Sequence, residues 1–317
     1  MWAGVTILVI VIVTWLARIS PGRVLAAYHD GLPVALSGAW VALVYALVTR
    51  HWWLATVSGV IVAFHLAIVV PRRIARRRPT WAGTAPTVTL AVANVLVDNR
   101  TPDAAVASLT ASGADLIVVN ENNEAFRASF ATVGGNGYQT VIEDGATSPE
   151  YAVAVAARAL EPAASDLVDL GVMRVARVDV PVGSETLAVV AIHLAALTEP
   201  GGYRHWHQEV HALGRYLHHV PEPYVVVGDF NASVFRPAMG RLMRMARLHD
   251  AHDVVGQGLT RSLKLGASGW PASIPAFTRV DHALLSEGVA VMEVHNLPTA
   301  GSDHHPFVVT LAVRGPR

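Results

Sequence analysis

The sequence predicts an α/β domain preceded by three transmembrane helices, and two observations support this prediction. The chain has 317 residues, of which 52% are hydrophobic and only 15% charged, and its mean hydropathy is +0.40. Such a composition is too apolar for a purely soluble protein. The long apolar runs lie near the start, whereas shorter apolar runs alternate with helical patterns further on. We therefore predict a membrane domain at residues 1–79 and an α/β domain at residues 80–317.

Charge divides the chain at the same place. Residues 1–79 contain eight Arg and one acid, Asp30, which gives a net charge of +7. Residues 80–317 contain 16 basic and 23 acidic residues, a net charge of −7. The acidic part gives no sign of the broad basic surface that holds nucleic acid. Cysteine is absent, which excludes disulfides and thiolate metal sites.

The membrane domain is predicted from apolar segments at residues 2–17, 32–48 and 52–70, none of which contains an acid or an Arg. Each approaches the length of about 20 residues that a helix needs to cross a bilayer. A secretory signal is the alternative for the first segment, but the further apolar segments favour a multi-pass membrane domain. The short link at residues 49–51 predicts that the second and third helices form an antiparallel hairpin. His65 is expected to face a neighbouring helix.

The positions of the arginines predict the orientation of the chain in the membrane. Seven of them follow the first or the third apolar segment, and Arg50 stands alone between the second and third. This distribution favours an outside amino terminus and a cytoplasmic α/β domain. The basic run at residues 72–78 could also hold anionic lipid head groups beside the membrane.

The α/β domain is predicted element by element after a linker at residues 79–86. A loop rich in Gly, Asn and Asp is expected at residues 134–149. Helices are expected at residues 102–112, 202–219 and 237–248. Strands are expected at residues 87–93, 115–120, 151–157, 175–180, 186–192, 224–227, 280–285 and 307–313.

The sequence Gly228-Asp229-Phe230-Asn231 ends one of these strands. The two-residue spacing places the Asp229 carboxylate and the Asn231 carboxamide on one face of extended backbone, at the strand end where α/β sheets bind ligands. A carboxylate can handle a proton or a metal, and a carboxamide can hold an oxyanion without adding charge. Other strands end in the same way, and we expect their polar side chains to converge on one rim. The full set is Asn94, Glu121, His193, Asp229, Asn231, Asp281, Asp303 and His304.

In these stretches the chain resembles the endonuclease/exonuclease/phosphatase superfamily, which includes DNase I-like nucleases, inositol polyphosphate phosphatases and neutral sphingomyelinases. The matching motifs come in the family's order and cover nearly all of residues 87–313. The resemblance implies a four-layer α/β sandwich, two packed mixed β-sheets flanked by helices. It also implies a divalent cation, Mg²⁺ or Mn²⁺. The motifs lie at residues 92–96, 115–121, 191–194, 228–231, 279–282 and 302–306.

The resemblance also implies roles for the metal-binding and substrate-binding residues. Glu121 is the expected main metal ligand, a hard oxygen donor for a hard cation. Asn94 and Asp303 are expected to complete the metal and water network. Asn94, His193 and Asn231 would bind phosphate oxygens.

The catalytic roles follow in the same way. Asp229 would orient the attacking water or pass a proton to the leaving oxygen. His304 would act as a base or stabilise the growing charge, and Asp281 would fix its tautomer. His193 would hydrogen-bond the phosphoryl group.

Four further features of the sequence bear on function but lie outside the main set of site residues. Glu124 is a second candidate ligand, although an exposed role is favoured. His207 and His211 share a helix face but lack the zincin order of residues, so we favour exposed or groove-lining histidines over zinc ligands. Ala157-Arg158 stands where many family members carry Ser-Arg. The arginines at positions 241, 244 and 247 could grip an anion, but a solvated helix face is favoured.

The resulting hypothesis is a membrane-bound, metal-dependent phosphohydrolase that cleaves a phosphoester or pyrophosphate, with a lipid-linked phosphate as substrate. Residues 269–271, Gly-Trp-Pro, resemble a feature of bacterial membrane-anchored members, some of which act on the outer membrane face. That side conflicts with the arginine distribution, and the sequence leaves the side open. A membrane-tethered nuclease and a non-catalytic binding protein of the same fold are the alternatives. No protein partner can be inferred.

Overall fold

The computed structural model describes residues 1–133, 137–144, 148–264 and 277–314. Its first elements are helices α1 (Trp2–Leu16), α2 (Gly22–Asp30), α3 (Leu32–Val48) and α4 (Trp52–Val69). Helices α3 and α4 form the predicted hairpin, and small or branched residues such as Ala39 and Ile61 are buried in a core that they share with α1. His65 faces α3, as expected, because Trp40 donates a 3.1 Å hydrogen bond to it.

The prediction of three membrane-spanning helices is not supported in full. In the described part of the chain, one helical stretch, Trp52–Arg73, is long and apolar enough to cross a membrane. Helices α2 and α3 pass the same test only as one span bent by 79°. Helix α1 is apolar but has 15 residues, and at 1.5 Å per residue it extends only about 22 Å, against about 30 Å of hydrocarbon.

The α/β part consists of two six-stranded mixed sheets in the described residues, packed face to face as predicted. The first has the order β11-β12-β1-β2-β4-β3 and the second β5-β6-β7-β8-β10-β9. The strands of the first sheet are β1 (Thr87–Asn94), β2 (Leu116–Asn120), β3 (Tyr138–Glu143), β4 (Val153–Arg158), β11 (Val289–Asn296) and β12 (Phe307–Val313). Those of the second are β5 (Ala164–Asp169), β6 (Arg174–Val182), β7 (Glu185–His193), β8 (Tyr224–Asp229), β9 (His249–Asp250) and β10 (Asp281–Leu285).

The alternation of side chains along each strand explains how the sheets form two kinds of apolar core. In β1, Leu90 and Val92 enter the core between the sheets, whereas Ala91 and Ala93 face the helices outside. Successive side chains of a strand point to opposite faces, so a continuous apolar run serves both cores. The outer helices are α5 (Pro102–Ala111), α6 (Glu124–Thr132), α7 (Gly202–Leu217), α8 (Pro237–Met245) and α9 (Ala251–Val254). These layers give the four-layer sandwich.

Four strands and three helices were not predicted, namely β3, β5, β9 and β11, and α2, α6 and α9. Strand β3 lies inside the predicted loop at residues 134–149, at the edge of its sheet and with an irregular register. Strand β5 is another edge strand and has no buried residue. A bulge between Val291 and Glu293 interrupts the alternation of β11. Edge strands and bulged strands lack the regular apolar pattern on which sequence prediction depends. Helices α2 and α6 were missed because each is only 9 residues long, and β9 and α9 because they have 2 and 4 residues.

The amino-terminal helices pack on the α/β part. Val234 and Phe235, which follow β8, enter the apolar core that α1, α3 and α4 form. Trp15 in α1 donates a 2.7 Å hydrogen bond from its indole nitrogen to the carbonyl of Phe235. Arg72, just after α4, is ion-paired with Asp253.

Candidate active site

Strand pairing gathers the predicted polar residues at one rim. The parallel register of β7 and β8 places His193 opposite Asp229. The antiparallel register of β8 and β10 places Asp229 opposite Asp281. In the other sheet, β1 and β2 align Asn94 with Asn120, the residue before Glu121. The two sheets therefore end in facing rows of polar side chains.

Asn94 connects the two sheets at the centre of the site. Its amide nitrogen donates to Glu121 Oε1 at 2.7 Å and to Asp229 Oδ2 at 3.0 Å. The second oxygen of Glu121 accepts the backbone N–H of Val97 at 2.7 Å. Glu121 has a φ of +58°, a conformation that non-glycine residues keep only where their surroundings hold them. Burial raises the pKa of Glu121.

Asn120 holds Asp229 in place, and the sequence analysis missed it. The Asn120 amide nitrogen donates to the carbonyl of Ile192 at 2.8 Å, and its amide oxygen accepts the backbone N–H of Asp229 at 3.0 Å. A Cβ at Gly228 would lie 2.1 Å from the Ile192 carbonyl oxygen, so only glycine fits between these strands. The sequence feature that could have identified Asn120 is its position at the end of an apolar, fully buried strand.

Asp281 and His304 form a buried pair beside Asp229. His304 Nδ1 lies 2.8 Å from Asp281 Oδ2, and Nε2 lies 3.7 Å from Asp229 Oδ2. Burial disfavours the imidazolium, but the charges of Asp281 and Asp229 outweigh it and raise the pKa of His304 to about 10. Burial also disfavours the Asp281 carboxylate, yet His304 outweighs it and lowers the pKa of Asp281. Burial raises the pKa of Asp229 to about 6.

His193 and Asn231 lie on the other side of Asp229. His193 Nε2 is 3.6 Å from Asp229 Oδ2, and the Asn231 amide nitrogen is 3.4 Å from the same imidazole nitrogen. Burial lowers the pKa of His193, so its neutral form is favoured at neutral pH. Asn231 has a φ of +47°, and its backbone N–H donates to Asp229 Oδ1 at 2.7 Å.

Asp303 completes the set at the edge of the cluster. Its Oδ1 lies 4.0 Å from His304 Nε2. The neighbouring Ser302 hydroxyl donates to the backbone carbonyl of Asn94 at 2.8 Å and accepts the backbone N–H of His304 at 3.0 Å. All eight predicted residues therefore meet at one site.

The other features singled out in the sequence lie elsewhere. Glu124 is exposed in the first turn of α6. Ala157 pairs with Leu116, at the end of β2 far from Glu121. Arg241 donates to the carbonyl of Arg18 at 2.6 Å. Residues 269–271 lie outside the described residues.

The donor set fits a hard divalent cation. Among the described residues, Oδ1 of Asp281 and Oδ1 of Asp303 are buried without a hydrogen-bond partner. One ligand atom each of Asp229, Asp281 and His304 lies within 4.8 Å of the other two. Carboxylate oxygens are the donors that Mg²⁺ and Mn²⁺ prefer. This Asp-Asp-His group was not the predicted ligand set.

Comparison with known proteins identifies the family. A model of the Endonuclease/Exonuclease/phosphatase family matches residues 91–304. The chain belongs to this family. Its members are typically hydrolases that act on phosphoester bonds. None of the curated proteins matches the sequence.

Solved structures share the fold. TDP2 from D. rerio, in complex with a single-stranded DNA product, superposes with a TM-score of 0.59 at 14% identity, covering 72% of this chain and 99% of that one. A functionally unknown conserved protein from Enterococcus faecalis V583 gives 0.55 at 13% identity, with 71% and 100% covered. A family protein from Bacteroides vulgatus gives 0.53 at 18% identity, with 72% and 99% covered.

Proposed function

We propose that the protein is a membrane-bound, metal-dependent phosphohydrolase that cleaves a phosphoester or pyrophosphate bond of a lipid-linked phosphate at the bilayer surface. The proposal rests on the buried cluster around Asp229, which has His193 on one side and His304 on the other. Phosphoryl transfer depends mainly on positioning and on neutralising charge. This cluster offers polar donors, a carboxylate and a cationic imidazole within one site.

Each residue would have a role set by its surroundings. His193 and Asn231 would donate hydrogen bonds to phosphate oxygens, since their side-chain nitrogens converge within 3.4 Å of each other. Asp229, with a pKa of about 6, would accept the proton of the attacking water at neutral pH. His304, held as imidazolium by Asp281, would stabilise the developing negative charge.

A cation would be held by Glu121, with Asn94 and Asp303 beside it. It would neutralise phosphate charge when bound. Both Glu121 oxygens accept one hydrogen bond each, and each keeps a further lone pair for a cation. Asn94 directs its amide nitrogen at both carboxylates and accepts the Leu96 N–H on its oxygen at 3.0 Å. In this arrangement Asn94 would orient the carboxylate ligands rather than coordinate the cation itself.

Two features support a lipid substrate. The turn that carries Asn231 continues within four residues into Phe235, which packs among the apolar amino-terminal helices. The cavity beside His193 has a volume of about 550 Å³ and is lined by the carboxyl groups of Asp144, Asp169 and Glu209 and by Arg174, which is ion-paired with Asp144 at 3.0 Å, so acidic groups outnumber basic ones. Such a lining would repel the extended backbone of a nucleic acid. A single phosphate presented at a membrane avoids that repulsion.

The test is phosphate release by the full chain in detergent from a panel of lipid phosphates, lipid pyrophosphates and phosphodiesters, with soluble short-chain analogues alongside. We expect release from a lipid in Mg²⁺, and loss of release in EDTA and in His304→Ala. Full activity on soluble analogues with none on any lipid would exclude the lipid assignment. Restoring Mg²⁺ or Mn²⁺ after EDTA tells which cation supports turnover.

A membrane-tethered nuclease is the second candidate, because a protein of similar fold was solved with a single-stranded DNA product. Plasmid DNA in the same assay tests it. Nicking that is lost in Asp229→Ala would favour the nuclease. If neither lipids nor DNA were consumed, a non-catalytic binding role would replace both candidates.

A further inference from the structure

The turn that follows β8, residues 230–236, carries Asn231 and is held by side chains from two parts of the molecule. The α/β part supplies Trp206, whose indole nitrogen donates to the carbonyl of Phe230 at 2.7 Å. The amino-terminal helices supply Asp30, the last residue of α2, whose Oδ1 accepts the backbone N–H of Ser233 at 2.9 Å. A backbone N–H of this active-site turn is therefore bonded by a residue 203 positions earlier in the sequence.

Asp30 also pairs with Arg236 in the interior. The exposed fractions of Asp30 and Arg236 are 6% and 1%. Arg236 Nε donates to Asp30 Oδ1 at 3.0 Å, and one terminal nitrogen of the guanidinium bonds the other carboxylate oxygen. That same nitrogen donates to the backbone carbonyl of Asn231 at 2.8 Å. The carboxylate, the guanidinium and the Asn231 backbone thus form one continuous chain of contacts.

The geometry explains why Asn231 needs this support. Its left-handed backbone conformation, with φ at +47°, is unfavourable for a residue with a side chain and persists only where neighbours hold it. A two-pronged carboxylate–guanidinium contact fixes Arg236 in orientation as well as position. Without the Asp30 carboxylate, the buried guanidinium would lose its charged partner and keep its stacking on the Trp206 ring, 4.2 Å from the ring centroid. Stacking does not fix the direction of its N–H groups, so its bond to Asn231 would be weakened.

We propose that Asp30 is a positioning residue that holds Asn231 in its phosphate-binding orientation through Arg236, so that the amino-terminal helices are part of the active-site scaffold. This inference rests on the proposed function for its kinetic consequence. The helices would then do more than anchor the enzyme, because a change that moved α2 would also move the catalytic turn.

The kinetic test is a double-mutant cycle in the full chain, using the lipid phosphate that wild type hydrolyses best. Asp30→Asn keeps the size of the side chain but removes its charge. We expect kcat to fall about 100-fold, the scale of a misplaced active-site group, with KM within about twofold. In an Asn231→Ala background the same change should cost less than about twofold. Equal losses in both backgrounds would overturn the proposal.

Tyr203→Phe is the matched control. Tyr203 also connects the amino-terminal segment to the α/β part, because its hydroxyl bonds the carbonyl of Ser20, but its bond does not lead to Asn231. We expect its kcat within about twofold of wild type. If Asp30→Asn fails to fold, Arg236→Lys replaces it in the cycle, since lysine keeps the charge but cannot make the paired contacts.

Hydrogen–deuterium exchange separates failure of this inference from failure of the proposed function. Asp30→Asn should speed exchange in the peptide covering residues 230–236, where Ser233 loses its charged acceptor, and Tyr203→Phe should not. If wild type hydrolyses nothing but exchange changes in this way, the function is wrong and the positioning role stands. Unchanged exchange in Asp30→Asn would refute the positioning role whatever the activity.

Discussion

Two buried histidine–aspartate pairs lie on neighbouring residues of β10, and they differ in what the second ring nitrogen contacts. Asp281 pairs with His304, whose Nε2 faces the Asp229 carboxylate at 3.7 Å. His282 lies 2.7 Å from Asp250 through Nδ1, but its Nε2 donates to the carbonyl of Ala232 at 2.9 Å. In the first pair, Nε2 of the histidine therefore faces the site. In the second pair, Nε2 is hydrogen-bonded to the backbone.

The comparison shows that a buried histidine with a carboxylate partner is not by itself evidence of catalysis. Adjacent residues of a strand point to opposite faces, so Asp281 serves the site while His282 serves the packing beneath the turn. Burial disfavours the Asp250 carboxylate, but the Arg279 guanidinium, 2.7 Å away, and the His282 hydrogen bond outweigh it and lower the pKa of Asp250 well below its usual value. The charge of the Asp250 carboxylate is thus compensated by Arg279, whereas Nε2 of His304 faces the site.

The largest effect should come from removing each histidine in turn. We expect His304→Ala to lower kcat about 10³-fold, the range for an acid–base or charge-stabilising group. His282→Ala should lower kcat less than tenfold but lower the free energy of unfolding by about 2–4 kcal/mol, because it leaves a cavity and an unpaired carbonyl. Steady-state kinetics and thermal unfolding of both variants test this. Equal kinetic losses would remove the distinction between the pairs.

The two aspartates should separate in the same way as their histidine partners. Asp250→Asn leaves the buried Arg279 guanidinium without its carboxylate, so we expect a loss of about 3 kcal/mol in the free energy of unfolding. Asp281→Asn should cost less stability and more activity, because His304 loses the charge that raises its pKa. Denaturant unfolding with parallel activity assays measures both quantities. A larger stability loss in Asp281→Asn would contradict the assignment.

Stability should also depend on pH through His304. In EDTA its folded pKa of about 10 lies above the ordinary value of 6.5, so the folded state keeps a proton that the unfolded state releases. The stabilisation is present below pH 6.5 and is lost as pH rises toward 10. Between pH 7 and 9, wild type should lose up to about 1.4 kcal/mol per pH unit more than His304→Gln. Parallel curves for the two proteins would contradict this prediction.

The smallest effect should come from Ser262. Its hydroxyl accepts the backbone N–H groups of Val280 and Asp281 at 3.1 and 3.2 Å, so it supports the backbone of the Asp281–His304 pair. Ser262→Ala should cost about 1 kcal/mol of stability and lower kcat a few-fold, because two buried donors lose an acceptor. Ser286→Ala, whose hydroxyl accepts the Tyr224 N–H at the other end of β8, is the control and should leave kcat unchanged. A kcat loss of the same size in both variants would show that Ser262 acts only through stability.

The central strands and their polar ends could be predicted because the local pattern and the tertiary position agree. A run such as Tyr224–Asp229 is apolar enough to be buried on both faces, so its end marks the rim of the sheet. Edge strands could not be predicted in this way, since β5 exposes most of its length. The three predicted spans are supported only in part, because the first apolar run forms a helix of 15 residues and the second passes the length test only together with α2, at a bend of 79°.

The sequence by itself determined the family, the two central sheets and the eight polar residues of the site, because each of these follows from local pattern or from motif order. The family resemblance also predicted that Asp281 pairs with His304, but only the tertiary structure decided the other partners of these residues. Asn120 lies within a motif but was not singled out, Asp30 and Arg236 lie outside every motif, and the contacts of all three join segments far apart in the chain. The tertiary structure likewise separated the Asp281–His304 pair from its neighbour, because the second contact of each imidazole is fixed only when the sheets pack.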